Sequence, residues 1–374
     1  MMTRTYGGAL SMSGLNLAAD AAIDLHLHTV YSDGNWLPEQ LLDHLVREQF
    51  ALVAITDHDR LDTAVALQRL AQDKHLPVLV AVEMTAAWRG EMTDVLCFGF
   101  DPKHSALHEL ARGLLHRQQE NTREVFENLA RKGYALAESP AALADLLAKP
   151  GSQQPHALVS LLRRQGYGQG APSAGEIALG AGCAYATNDL AEVVEAAHRS
   201  GAVCLIAHPG RTDGWLTYSV ELLDQARHEA PIDGLEVYYP KHTPAQTAMY
   251  REYARRHHLL ISSGSDSHGP DKPPVRYPAG PSRALLERLG VQVAWDLLGR
   301  PGDRPGTRNT EGSVTLVRGR WTMGCPCSRG CGAKAPWAPA SDVCRICPPV
   351  ADWSCHRCPC TAEGGHEVLP CGAP

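Results

Sequence analysis

The chain has 374 residues, of which 44% are hydrophobic, 20% charged and 6% aromatic, enough for one large domain or two ordinary ones. Lys and Arg total 35 against 41 Asp and Glu, a formal net charge of −6, which excludes a global basic field for a nucleic-acid backbone and leaves any anionic substrate to be held locally. No apolar run approaches the roughly 20 residues of a membrane helix, and the first 22 residues lack the three-part build of a signal peptide, so a cytoplasmic protein without membrane association is expected.

Residues 1–22 show no regular pattern and read as a flexible N-terminal segment. Beyond them, short β-branched apolar runs alternate with amphipathic stretches, the pattern of a parallel α/β sheet. Strands are predicted at 23–28, 51–56, 77–82, 94–98, 202–207, 234–238 and 259–263, most of them unbroken apolar runs that suit strands covered on both faces. Helices are predicted at 37–50, where Pro38 opens the first turn and Leu41, Leu42, Leu45 and Val46 share a face, and at 61–74, 188–200, 219–229 and 243–257. The span 105–186 holds helical patterns and no convincing strand, so it is expected to be a helical insertion between two parts of the main region, 23–104 and 187–299. Strands alternating with helices suit either a closed barrel or a doubly wound sheet, and no internal repeat chooses between them.

The pattern stops near Arg300. Only Cys97, Cys183 and Cys204 precede that point; the other nine of the twelve cysteines lie between Cys325 and Cys371, in a stretch, residues 301–374, that holds ten Pro and ten Gly. Residues 300–374 are therefore predicted to be disordered unless a metal or cross-link orders them. Cys344-x-x-Cys347 and Cys355-x-x-Cys358 have the paired form of a zinc site at a shorter separation than usual, and an out-of-frame reading of a GC-rich gene explains the composition as well.

Histidines and carboxylates collect at the ends of the predicted strands. A period of two puts His26 and His28 on one face of an extended segment, which is half of a metal site. Asp33 follows in an Asp-Gly pair that also suits a simple turn. Asp57, His58 and Asp59 come directly after the second strand, Glu83 after the third, His208 after the fifth, and Asp266 and His268 after the seventh. Active sites of α/β proteins are built at such strand ends. Each motif alone reads equally well as a solvated loop, but their recurrence at five strand ends points to one shared site. No GxxxxGK[ST] or GxSxG motif is present, so a phosphate-cradling loop and a serine nucleophile are unsupported.

Taken together, HLHTVYSDG, AITDHD, VAVEMT, LIAHPGR and SSGSDSHG resemble, in order, the motifs of the polymerase and histidinol phosphatase (PHP) superfamily, over roughly residues 23–289. The resemblance implies a distorted TIM-like barrel of seven βα units, a trinuclear divalent-metal site at the carboxyl ends of the strands, and hydrolysis of phosphate esters. Gln154-Pro155-His156-Ala157-Leu158, Gly166-Tyr167 and Ala184-Tyr185 in the insertion are similar to the branch acting on nucleoside 3′,5′-bisphosphates and on the 5′ end of short RNA. The family pattern would place His26, His28, Glu83 and Asp266 on a first metal, with Glu83 bridging to a second held also by His208, and Asp33, His58 and His268 on a third. The family supplies a further histidine to the second metal where this chain has Leu96, which cannot ligate, leaving water or Asp94 to complete that site.

Two or three divalent ions per chain are expected, manganese first, with iron, zinc or magnesium as alternatives for mixed His and carboxylate ligands. His26, His28, Glu83, His208 and Asp266 are the expected catalytic centre. His156 and Arg211 are candidate contacts to substrate phosphate, with Arg163, Arg164 and Lys241 as further basic candidates. Asp57 and Asp59 are read as orienting imidazoles, with an N-cap role open for Asp59. The expected substrate is a small phosphorylated molecule or a short nucleic-acid 5′ end, and no protein partner is indicated. Histidinol-phosphate hydrolysis and a non-catalytic binding module stand as alternatives.

Overall fold

Alternating apolar runs become strands, and the amphipathic stretches pack over them. The computed structural model describes residue 12 and residues 14–136 and 140–294. In chain order, β1 (Asn16–Leu17), β2 (Ala22–Leu27), α1 (Pro38–Arg47), β3 (Leu52–Ile55), α2 (Ala64–Gln72), β4 (Val78–Leu79), β5 (Ala81–Trp88) and β6 (Glu91–Phe98) come first. Helices α3 (Ala106–Arg131), α4 (Pro140–Leu147), α5 (Gln154–Arg164) and α6 (Ala174–Gly180) follow. The chain then runs through β7 (Asn188–Asp189), α7 (Leu190–Arg199), β8 (Val203–Ile206), α8 (Val220–Glu229), β9 (Gly234–Tyr238), α9 (Pro244–Arg256) and β10 (Leu260–Ser263), ending in β11 (Tyr277–Pro278), α10 (Arg283–Arg288) and β12 (Gln292–Val293). Pro38 sits in the first turn of α1, whose Leu41, Leu42 and Leu45 are buried. A reciprocal capping box between Thr243 and Gln246 starts α9.

The strands form a six-stranded sheet in the order β10-β9-β8-β6-β5-β7, a four-stranded sheet β11-β2-β3-β4 and the pair β1-β12. Isolated parallel bridges, Leu27 to Ser267 and His58 to Glu83, link the two larger sheets. The six-stranded sheet is mixed, where parallel order was expected. The third strand does not stop at residue 82: β5 runs on to Trp88, turns through Arg89 (φ 53°) and Gly90 (φ 84°), and β6 returns antiparallel, with Glu83 opposite Leu96 and Thr85 opposite Asp94. Positive φ at both central residues is the tight hairpin geometry that matches strand twist.

Leu25, Leu52, Leu96 and Leu205, all fully buried, belong to a core contributed by both sheets. A second core, with Val82, Val95, Val193 and Leu223, packs the six-stranded sheet against its helices, and a third packs α1 and α2 on the four-stranded sheet. Helices α3, α5 and α6 share a separate core of Val125, Leu129, Leu158, Leu162 and Ile177. No helix of the described residues is long and apolar enough to cross a membrane. Of the flexible start expected over residues 1–22, residues 1–11 and 13 lie outside the described residues, whereas Asn16–Leu17 pairs with β12 and Leu17 is buried; the Cys-rich stretch with its paired Cys-x-x-Cys motifs also lies outside the described residues.

Candidate metal centre

The centre is assembled at the two bridges between the sheets. His26 is the penultimate residue of β2 and His28 directly follows the strand; the His58–Glu83 bridge brings the turn after β3 against β5; His208 follows β8; and the segment 266–268 after β10 hydrogen-bonds to the end of β2 and the residue after it, through Asp266 N–H to His26 O at 2.9 Å and His28 N–H to Ser267 O at 3.0 Å. Three of these turns hold a non-glycine residue at positive φ: Asp59 at 55°, His208 at 28° and Asp266 at 54°. Such backbone costs about 1–3 kcal/mol each and persists where surrounding structure enforces it, commonly at functional sites. Close packing adds to this: a Cβ on Gly264 would stand 2.2 Å from the His26 Cβ and 2.5 Å from Glu236 Oε1.

Glu83 lies at the centre of the cluster and is fully buried. Its Oε2 is 2.9 Å from His26 Nε2, 3.0 Å from His28 Nε2 and 3.4 Å from His58 Nε2, while its Oε1 is 3.1 Å from His208 Nε2. Asp266 Oδ1 stands 3.5 Å from His26 Nε2 and 3.3 Å from His28 Nε2. Asp33 is 3.4 Å from His268 Nε2 and 3.9 Å from His58 Nε2. Asp94 Oδ2 is 3.8 Å from His208 Nε2. The donors fall into groups compact enough for an ion: His26, His28, Glu83 and Asp266; His28, Asp33, His58 and His268; and Glu83, Asp94 and His208.

The donor chemistry fits cations. His26 Nε2 and His28 Nε2 face one another at 3.1 Å, an arrangement that makes sense when both lone pairs point at a positive charge. His26 Nδ1 donates to Glu236 at 3.0 Å and His268 Nδ1 to the Asp266 carbonyl at 2.9 Å, so each leaves its Nε2 free toward the cluster. Asp33 Oδ1 and Asp94 Oδ1 are buried without a hydrogen-bond partner. Electrostatics without cations run the same way. Burial opposes the charged form of His26, but Glu83, Glu236 and Asp266 outweigh it and hold its pKa well above the usual imidazole value. Glu83 is held well below the usual carboxylate range by His26 and His58 against burial, and Asp33 and Asp266 are lowered against burial by their neighbouring imidazoles. Asp94 moves the other way, raised by burial and by Glu83.

Asp57 and Asp59 act at one remove. Asp57 accepts from Thr29 N–H, Thr29 Oγ1 and Ser32 Oγ, each at 2.7 Å, and reaches His28 through Ser32, whose Oγ is 3.5 Å from His28 Nδ1. Asp59 accepts the Thr85 N–H at 3.1 Å, and Thr85 Oγ1 is 3.4 Å from His58 Nδ1. Burial pushes the Asp59 pKa up to about 6. The short helical turn at Leu61–Thr63 has Arg60 at its N-cap and no side-chain cap, so the alternative capping role for Asp59 is not seen.

Around the rim, Arg211 stacks on Trp215 with its Cζ 3.6 Å from the ring centre, bonds Asp213 at 2.5 Å and brings Nη1 to 3.7 Å from Asp266 Oδ2. Lys241 is tied to Asp213 at 3.2 Å, whereas Arg163 and Arg164 sit in the last turn of α5. His156 on α5 is exposed, and its Nδ1 is 2.6 Å from the Tyr185 hydroxyl. Gln153, just before α5, donates to the Ser32 carbonyl in the loop that carries Asp33.

Glu236, Asp24 and Tyr239 were not anticipated. Glu236, the one acidic residue of β9, is fully buried, and a buried carboxylate without partners is costly enough to flag it. Asp24 accepts the N–H groups of His26, Ser265 and Val275 at 3.2, 3.0 and 3.0 Å, and burial pushes its pKa up to about 7. Tyr239 donates to Asp266 Oδ2 at 3.2 Å.

Fold and site define the class, an α/β protein whose strand ends converge on a shared set of metal-type ligands. Residues 24–167 match the family model of the PHP domain. The chain is 28% identical over 302 residues to the 5′-3′ exoribonuclease Rnm of Escherichia coli K12, covering 78% of this chain and 97% of that protein. It is 27% identical over 266 residues to the 3′,5′-nucleoside bisphosphate phosphatase of Chromobacterium violaceum, covering 67% of this chain and 88% of that one. Among solved structures, a Bifidobacterium adolescentis protein provisionally described as a metal-dependent phosphoesterase aligns with a TM-score of 0.56 at 26% identity, over 77% of this chain and 99% of that one. The match to the PHP domain covers residues 24–167, and the chain is a metal-dependent phosphoric ester hydrolase.

Proposed function

We propose that the protein hydrolyses phosphate esters of nucleotides, either a nucleoside 3′,5′-bisphosphate or the 5′ end of a short RNA or DNA, with two or three divalent cations, manganese first. The observation that carries this reading is the convergence of His26, His28, His58 and His208 on the two oxygens of the buried Glu83. The Rnm and bisphosphate-phosphatase relatives support the substrate class.

His26, His28, Glu83 and Asp266 would hold one cation, Glu83 and His208 a second, and Asp33, His58 and His268 a third. The bound cations would neutralise phosphate oxygens, lower the pKa of an attacking water and stabilise the leaving oxygen. Arg211, fixed against Trp215 at the edge of the cluster, presents donors to a phosphate oxygen. The His156–Tyr185 pair, on the insertion side near Asp33, orients a second phosphate or the nucleoside. We also infer that the two larger sheets, linked at Leu27–Ser267 and His58–Glu83, form the wall of a distorted barrel with residues 105–186 inserted.

The test is a substrate panel on the purified, manganese-loaded full chain: 3′,5′-bisphosphonucleosides, 5′-phosphorylated oligonucleotides and histidinol phosphate. Release of phosphate from the bisphosphates, or of mononucleotides from the oligomers, is expected, and it should vanish in a His26→Ala, His28→Ala double variant. Equal turnover by both proteins would defeat the assignment, and activity confined to histidinol phosphate would replace the substrate.

A further inference from the structure

A second cluster of metal-type donors lies at the other end of β8 from the centre around Glu83. Cys204 is the second residue of β8, Asp233 directly precedes β9, and His198 stands in the last turn of α7. His208 leaves the far end of β8, so at about 3.3 Å per residue Cys204 lies about 13 Å from it. The sheet itself fixes two of the three donors. Asp233 donates its main-chain N–H to the Cys204 carbonyl at 2.9 Å, its own carbonyl accepts the Leu260 N–H at 2.9 Å, and its Oδ2 accepts the Cys204 N–H at 2.9 Å.

Asp233 Oδ2 is 3.0 Å from His198 Nε2 and 3.4 Å from Cys204 Sγ, and the nitrogen and sulfur are 3.7 Å apart. Metal–ligand bonds of about 2.0–2.3 Å in a tetrahedron put neighbouring N, O and S donors about 3.4–3.6 Å apart, so this triangle has nearly the size of one face of a zinc site. The three groups form a compact set that shares no residue with the groups around Glu83. Hydrogen bonding alone explains the triangle poorly. The Cys204 N–H, the imidazole and the thiol all converge on one carboxylate oxygen, which has lone pairs for about two of them. We infer that His198, Cys204 and Asp233 bind a zinc ion. Cys204 is fully buried, whereas the His198 and Asp233 side chains are 38% and 28% exposed, so water completes the fourth position from the solvent side. A sulfur ligand beside nitrogen and oxygen selects zinc over manganese or magnesium. On binding, the Cys204 thiol gives its proton to solvent, the imidazole proton moves to Nδ1, and Asp233 stays ionised. Oδ2 then keeps only the Cys204 N–H. Cys97 faces Cys204 across β6 and β8 but stands outside the compact set and is not a ligand. The ion pins the end of α7 to the starts of β8 and β9.

Cobalt(II) is the probe, because a thiolate ligand gives it a near-ultraviolet sulfur-to-metal charge-transfer band that imidazole and carboxylate ligands do not. It is titrated into the full chain as wild type, Cys204→Ser, His198→Ala and Cys97→Ser, with folding checked by circular dichroism. The nine cysteines from Cys325 to Cys371 are common to all four proteins, so their contribution cancels in the differences. Wild type minus Cys204→Ser should leave a band worth one thiolate per chain, which one equivalent of zinc abolishes. His198→Ala should develop that band at least about tenfold more weakly in cobalt, and Cys97→Ser should keep it unchanged. Identical spectra for wild type and Cys204→Ser overturn the inference, as does a wild-type titration in His198→Ala or a loss in Cys97→Ser equal to that in Cys204→Ser. If Cys204→Ser does not fold, His198→Ala, altered at an exposed position, carries the comparison with anomalous scattering at the zinc edge from zinc-soaked wild-type crystals. A peak at bonding distance from all three donors is expected, and its absence there overturns the inference.

Discussion

Glu236 accepts the Nδ1 proton of His26 at 3.0 Å with one oxygen, and with the other it accepts the main-chain N–H of His208 at 2.8 Å. One carboxylate on β9 thus sets the ring of one ligand and the backbone of another. Glu236→Gln replaces one of those acceptors by a donor, so His26 or His208 loses its support. Manganese affinity should fall by about 10–100-fold with the fold retained, measured by competition with a chelator; an unchanged affinity would show that the pair does not position the ligands.

Gly264 packs against the same pair, leaving no space for a methyl group beside His26 and Glu236. Gly264→Ala should lose about 1–3 kcal/mol of stability through overpacking, read by denaturant unfolding, and should lose manganese in step. Stability and metal content equal to wild type would contradict the close contact.

Acidification should release the cations. In the cation-free protein His26, His28, His58 and His268 all have raised pKa values: burial opposes their charged forms, and nearby carboxylates outweigh it. A raised folded-state pKa means that the empty site binds protons readily, so a cation must displace them and its affinity rises with pH. Calorimetric titration in buffers of different ionisation enthalpy should show proton release on binding, and an affinity independent of pH near neutrality would refute the protonated empty site.

Removing the cations should also lower the melting temperature. A ligand present at 100 times its dissociation constant stabilises the folded state by about 2.7 kcal/mol, so chelation should shift the thermal transition by several degrees. A transition that ignores both chelator and added manganese would count against occupied sites.

The hydroxyl of Tyr185 bonds His156 at 2.6 Å. If this pair orients substrate, Tyr185→Phe should raise KM several-fold with little change in kcat, consistent with the loss of one hydrogen bond worth about 0.5–1.5 kcal/mol. An equal fall in kcat with KM unchanged would place the pair in the reaction step instead.

Much of the candidate site was legible because its ligands end buried strands. His26, His28, His58, His208, Asp266 and His268 all interrupt or follow apolar runs, and the fold brings them together. The β5–β6 hairpin was not legible. Residues 83–88 mix an acid, a threonine and alanines, which reads as the end of a strand, although the polar members simply face the metal centre. The turn at Arg89-Gly90 was the available signal. Glu236 escaped notice for the opposite reason: a single acid inside a short apolar strand carries no pattern, and its partners are His26, 210 residues away in sequence, and His208, 28 residues away.

The reversed β6 strand gives the site an uneven history along the chain. Glu83 and Asp94 are diagonal neighbours on one short hairpin, so their juxtaposition needs only local chain closure. The histidines that meet Glu83 come from far off, His26 at a separation of 57 residues and His208 at 125. A cation caught by the hairpin carboxylates would therefore act as a staple across those two long loops, removing closure entropy from the unfolded chain much as a cross-link does.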